Sequence, residues 1–195
     1  ELVDFMLGKR DEILQLFITE IEASTPCAPT TPKVSVITTF YKDDGFLEDF
    51  LLNITQQTIF DDCELIVVDT GSPGNEQEIA HLESHSNIKY VRYDERKRPT
   101  EGLNLALKEA SGEYVTFAFL DDRKSLDCLE VLFAELEADE EVDLVYGNCL
   151  TTTVKNETLE QTNATKVFDH SVAEFTKENM IKCLPGPMPM WRKTI

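Results

Sequence analysis

Val34-Ser35-Val36-Ile37-Thr38-Thr39 is a short run of β-branched and small residues in which neither side of the alternation carries a charge. Such a run reads as a strand buried on both faces. The same character returns at residues 64–69, 88–93, 113–120 and 143–150, and between these lie segments with apolar positions at helical spacing, residues 45–57, 75–85, 100–110 and 125–138. Strands alternating with helices call for a mostly parallel sheet, covered on both faces and joined by right-handed crossovers. The expected fold class is α/β, a mostly parallel sheet sandwiched by helices.

Working outward, Ser24-Thr25-Pro26-Cys27-Ala28-Pro29-Thr30-Thr31-Pro32 holds three prolines and no periodicity, so residues 24–32 read as a linker. Leu2, Phe5, Met6, Ile13, Leu14, Phe17, Ile18 and Ile21 recur at helical spacing, which makes residues 1–23 a helical segment of an upstream region. Past the last strand, residues 151–165 are polar and rich in threonine and read as a loop or hairpin. One more helix is expected over 172–183, ended by Pro185-Gly186-Pro187. The main domain is then residues 33–195. The start at Glu1 and the end at Ile195, with no closing helix, suggest a piece of a longer protein.

A total of 195 residues supports one full core. Lys and Arg number 18 against 37 Asp and Glu, a net charge of −19 that repels phosphate backbones and anionic lipid. Nucleic acid and membrane surface are poor partners for it, and no apolar run reaches the roughly 20 residues of a bilayer span. The five cysteines are odd in number, widely spaced and never in C-x-x-C, so neither a disulfide framework nor a zinc site is implied and a reducing, cytoplasmic setting fits. His81 and His85 have ligand spacing without the Glu of H-E-x-x-H and read as a solvated helix face. The three glycosylation sequons, at Asn53, Asn156 and Asn163, read as chance, and Trp191 as core.

In an open parallel sheet, ligands collect beyond the carboxyl ends of the strands. Three stretches qualify. Thr38-Thr39-Phe40-Tyr41-Lys42 has no glycine, which disfavours a dinucleotide fingerprint or a P-loop. Asp69-Thr70-Gly71-Ser72-Pro73-Gly74 offers a carboxylate to a ribose or a base edge, or else caps a helix start with Asp69 and Ser72. Asp121-Asp122-Arg123 ends a buried strand with adjacent carboxylates, which suits a Mg²⁺ or Mn²⁺ ion carrying a diphosphate. The alternative is a solvated loop with Asp122 capping the next helix and Arg123 offsetting charge.

Four quoted stretches carry a more specific signal. They are Val34-Ser35-Val36-Ile37-Thr38-Thr39-Phe40-Tyr41, Gln57-Thr58, Leu65-Ile66-Val67-Val68-Asp69-Thr70-Gly71-Ser72, and Asn104 with Ala110-Ser111-Gly112-Glu113-Tyr114. Taken in order, they resemble the V-S-V-I-I-P-T-Y, helix-closing Q-T, I-I-V-V-D-D-G-S and N-x-G-x-x-x-A-x-G-E-Y patterns of glycosyltransferase family 2. The resemblance spans residues 33–195 and implies a GT-A, Rossmann-like fold and a nucleotide-sugar donor, UDP- or GDP-linked. By position Thr39, Phe40 and Tyr41 would meet the nucleotide. Asp69 matches the first acid of the base-binding pair, and Thr70 replaces the second. Phe119-Leu120-Asp121 fills the D-x-D slot, so Asp121 would be the metal ligand. Arg98 stands where a phosphate-contacting arginine can sit, or simply relieves acidity in a surface loop, and Asn104 belongs to the same donor-binding set.

The resemblance implies transfer of a sugar with inversion, assisted by a divalent cation, Mn²⁺ or Mg²⁺, to an unknown saccharide or other acceptor. Its general base would come after residue 195, so this donor half is expected to bind a nucleotide sugar and to transfer little alone. The alternative is a non-catalytic nucleotide-sugar-binding or scaffold module on the same fold, motivated by Phe119 and Thr70. A crevice plugged by Phe119 or Arg123 would favour that alternative.

Overall fold

The structure is a computed structural model that describes residues 31–73, 82, 85–169, 176–181 and 186–194, all within one compact unit, Thr31–Ile195. The segments expected at 1–23 and 24–30, His81, Cys27, Cys183 and most of the helix expected at 75–85 lie outside the described residues.

Strand β1 (Val34–Phe40) is central, flanked in parallel by β2 (Cys63–Thr70) and β4 (Tyr114–Phe117), with β3 (Ile88–Tyr93) parallel outside β2. Beyond β4 the direction reverses. There β8 (Met190–Arg192) runs antiparallel to β4 and carries β5 (Leu144–Val145) on its far side, giving the order β3-β2-β1-β4-β8-β5. A second, two-stranded sheet joins β6 (Cys149–Leu150) to β7 (Val167–Phe168).

Period-two alternation divides the sheet into two apolar faces. Val34, Val36, Phe40, Leu65 and Val67 look to one side, where α1 (Leu47–Thr55) brings Leu47, Phe50, Leu51 and Ile54 and α3 (Cys128–Ala138) brings Leu129, Leu132 and Leu136. Each such side chain, fully buried, contributes about 2 kcal/mol. Ile37, Ile66, Val68 and Val115 look to the other side, against α2 (Pro99–Glu109). That helix buries its small residues Gly102 and Ala106 and therefore lies close. A Cβ at Gly102 would fall 2.0 Å from Thr39 Oγ1, so only glycine lets α2 pass the end of β1.

The expected α/β architecture stands, with three local corrections. Residues 143–150 do not form one strand: Gly147 interrupts the run, Leu144–Val145 joins the main sheet, and Cys149–Leu150 turns away to pair with β7. The strand expected at 113–120 leaves the ladder after Phe117. In addition, β7 and β8 were not anticipated, being two and three residues long, too short for a periodic signal. Of the helix expected at 172–183, the described part is α4 (Lys177–Ile181).

At the amino end of β4, Glu64 Oε1 accepts hydrogen bonds from Ser35 Oγ (2.6 Å), Ser111 N–H (2.6 Å), Ser111 Oγ (2.9 Å) and Gly112 N–H (3.2 Å). A Cβ on Gly112 would lie 2.8 Å from the Ser35 nitrogen. The Ala110-Ser111-Gly112-Glu113-Tyr114 motif is thus a structural junction, at the opposite end of the sheet from the candidate site.

Candidate functional site

Register fixes which loops meet. Phe40 pairs with Asp69, Thr70 with Tyr93, and Ile37 with Phe117, so the segments 41–45, 71–73 and 118–124 leave the sheet along one edge. The first is tightly wound, with Lys42, Asp44 and Gly45 at φ of 58°, 49° and 75°. A left-handed non-glycine residue costs about 1 kcal/mol, so this shape must be held from outside. Ser72 Oγ does so, accepting the Lys42 N–H at 2.7 Å.

Ser72 is placed in turn by Asp69. That carboxylate is fully buried, and its oxygens accept the Ser72 N–H at 2.8 Å and the Tyr90 hydroxyl at 2.8 Å. Burial and the adjacent carboxylate push the Tyr90 hydroxyl well above its usual pKa, so it stays a donor. Thr70 Oγ1 donates to the Phe40 carbonyl at 2.8 Å, and Arg92 Nη2 donates to the Ser72 carbonyl at 2.8 Å. Asp69 and Thr70 therefore face inward and shape the β1 and β2 loops; the helix start that Asp69 and Ser72 were expected to cap lies outside the described residues. Thr39 Oγ1 donates to the Val68 carbonyl at 3.1 Å, and the ring of Tyr41 carries the Arg96 guanidinium 4.4 Å from its centroid.

Arg98 lies outside this cluster. It begins α2, its N–H and Nη2 both bond the Glu101 carboxylate (2.9 and 3.1 Å), and its side chain is 80 % exposed. Asn104 is exposed on α2. The structure thus brings together Thr39, Phe40, Tyr41, Asp69 and Thr70, and leaves Arg98 and Asn104 on the neighbouring helix.

Asp121 belongs to a different wall. It is exposed and lines a cleft of about 620 Å³, together with Asp122, Asp127, the polar segment 151–152 and 157–159, and Phe168. Asp122 is partly buried, and that burial, with the neighbouring Asp121 charge, raises its pKa. Helix α1 holds the far end of this loop. Asn53 exchanges two hydrogen bonds with the Lys124 backbone, both 2.9 Å, while Gln57 Nε2 donates to the Ser125 carbonyl at 2.9 Å and Gln57 Oε1 accepts the Leu129 N–H at 3.1 Å. Asn53, buried in this clamp, is no glycosylation acceptor in the folded chain. Lys124 is buried, its Nζ has no hydrogen-bond partner among the described residues, and burial lowers its pKa.

Phe119 does not plug the cleft. It stacks on Phe117 at 5.9 Å, and Phe117 in turn packs on Trp191 at 4.8 Å. Among the described residues no group of three His, Cys, Asp or Glu side chains is arranged for a metal ion. An exposed carboxylate such as Asp121 on a cleft wall suits a hard cation of the kind that draws most of its shell from substrate phosphate and water. The sequence does not point to Tyr90, and it marks Asn53 only as a chance sequon, because their partners come from distant segments. An alternate position in β3 and a polar residue on the apolar stripe of α1 were their only signals.

A mostly parallel central sheet flanked by helices, with β8 reversed beside β4, is the architecture of a GT-A domain. The chain belongs to glycosyl transferase family 2, whose family model matches residues 35–193. It is 33 % identical over 122 residues to a Campylobacter jejuni β-1,3-glucosyltransferase acting on GalNAc(5)-diNAcBac-PP-undecaprenol, covering 61 % of this chain and 38 % of that protein. Glycosyltransferase GlyG of Streptococcus pneumoniae is 26 % identical over 117 residues, 59 % of this chain and 38 % of the relative. Among solved structures, the Pyrobaculum calidifontis mannosyltransferase PcManGT in complex with GDP-Man and Mn²⁺ superposes with a TM-score of 0.54 at 26 % identity, over 77 % of this chain and 46 % of that one. Staphylococcus aureus TarS with UDP gives a TM-score of 0.64 at 21 % identity, over 83 % and 47 %, a likeness of fold. The chain spans about two fifths of those curated relatives and under half of those solved structures.

Proposed function

We propose that this domain is the donor half of an inverting glycosyltransferase, binding a UDP- or GDP-linked sugar along the loops after β1, β2 and β4. The observation that carries this reading is the exposed Asp121 carboxylate on the wall of an open cleft, at the same sheet edge as Thr39 and Tyr41. The nucleotide would lie against Thr39 and Tyr41, with Phe40, whose side chain packs in the core, offering its backbone alone. Asp69 and Thr70 support that surface from beneath, and Asp69 acts through Ser72 and Lys42. Asp121 would hold a Mn²⁺ or Mg²⁺ ion, and the PcManGT complex with GDP-Man and Mn²⁺ supports that cation. When bound, the ion would neutralise charge developing on the departing diphosphate. Phe119 stacks on Phe117 and is not among the residues that line the cleft, which supports a working donor site over one plugged by that side chain, while Arg123 does line the cleft. Arg98 and Asn104 would touch the donor only at the margin of α2.

Calorimetric titration of UDP and GDP, with Mn²⁺ and with chelator, tests this reading. Binding of one of them, strengthened by Mn²⁺ and reduced to its chelator value in Asp121→Asn, is the expected result. No heat from either nucleotide overturns it.

A further inference from the structure

Arg123 lines the cleft, and among the described residues none of its hydrogen bonds goes to a carboxylate. Nη1 donates to the carbonyls of Leu120 (2.8 Å) and Asp122 (2.7 Å), which bracket the acidic pair. Nη2 donates to Asn156 Oδ1 (2.7 Å) and weakly to the Phe46 carbonyl (3.4 Å). Nε is buried and has no hydrogen-bond partner among the described residues. Three segments distant in sequence thus meet on one guanidinium: the acidic loop, the turn before α1, and the 151–166 wall of the cleft. Asn156, held left-handed at φ 61°, extends the connection by donating to Asp49 and to the Gly45 carbonyl (3.3 Å).

We propose that Arg123 is the positioning residue of the acidic loop. It pins the backbone on both sides of Asp121 and Asp122, relieves their mutual repulsion by its charge, and ties them through Asn156 to the opposite wall. Because the bonds go to carbonyls, Asp121 keeps its oxygens for a cation. A planar fork reaches four acceptors in three directions, and lysine presents its donors from one point, so the pair is not interchangeable here. This inference rests on the donor-site reading for its ligand, and it concerns how Asp121 is aimed, which can fail separately.

The test compares the intact chain with Arg123→Gln, Arg123→Lys and Asn156→Ala, measuring UDP and GDP affinity in Mn²⁺ and in chelator, each at matched folded fraction. Loss of an outer support typically weakens metal affinity by about 10- to 100-fold. Expected is a loss of about tenfold in the Mn²⁺-supported affinity for both Arg123 variants, a smaller loss for Asn156→Ala, and unchanged affinity in chelator. Equal loss in both conditions marks a purely structural role and overturns the proposal, as does a Mn²⁺ increment equal to that of the parent. If the parent binds neither nucleotide, the donor reading falls, and Mn²⁺ alone, followed by electron paramagnetic resonance, decides on Arg123. Identical Mn²⁺ affinity in parent and Arg123→Gln then overturns it, and a weakened one in the variant upholds it.

Discussion

Glu64 shows how one side chain can be worth more than its exposure suggests. Burial alone would raise its pKa, but hydrogen bonds from Ser35, Ser111 and Gly112 outweigh that and hold it below the ordinary value. A carboxylate depressed in the folded state stabilises fully above its unfolded pKa, near 4.3, and that contribution is lost as pH falls through the folded value. Acidification below about pH 4 should therefore weaken the parent more steeply than Glu64→Gln, which should already be less stable at neutral pH, by no more than about 1 kcal/mol because the site is half exposed and screened. Urea titrations across pH would check this, and parallel slopes for the two proteins would sink it. Asp69 teaches the complementary lesson. Its place at the carboxyl end of β2 was legible in the sequence, but its inward orientation was not, because Tyr90 arrives from β3 and Ser72 only after the chain has turned.

Among the elements, the long buried strands were readable, since seven or eight uncharged or alternating residues leave few other options. Short ones were not. The two ends of the 143–150 run serve different sheets because of a single glycine, and β8 is recognisable only once β4 and β5 leave a slot for it. Helix α1 carries a further dependence, since its Asn53, with Gln57 just beyond the helix, holds the backbone of 124–125. Asn53→Ala leaves two buried backbone groups of Lys124 unmatched. Stability should fall by about 2 kcal/mol, and amide exchange should quicken across 118–126 before it does in β1. A uniform acceleration over the whole sheet would contradict the clamp. The candidate site was legible at this scale as three loops on one edge; the separation of the Asp69 cluster from the Asp121 cleft needed the third dimension.

For the molecule as a whole, a charge of −19 means self-repulsion that added salt relieves. The thermal midpoint should rise as ionic strength goes from low values to about 0.15 M, where the screening length is about 8 Å. Scanning calorimetry at several salt concentrations measures it, and a flat or falling midpoint would show that local ion pairs outweigh the net repulsion. Among the described residues no helix is long and apolar enough to cross a membrane. The insertion of β8 between β4 and β5 bears on how this sheet comes into being. During synthesis β1 to β4 can assemble from the amino-terminal side, but β5 has no edge to join until Arg192 has left the ribosome, so the right-hand third of the sheet must close late and all at once.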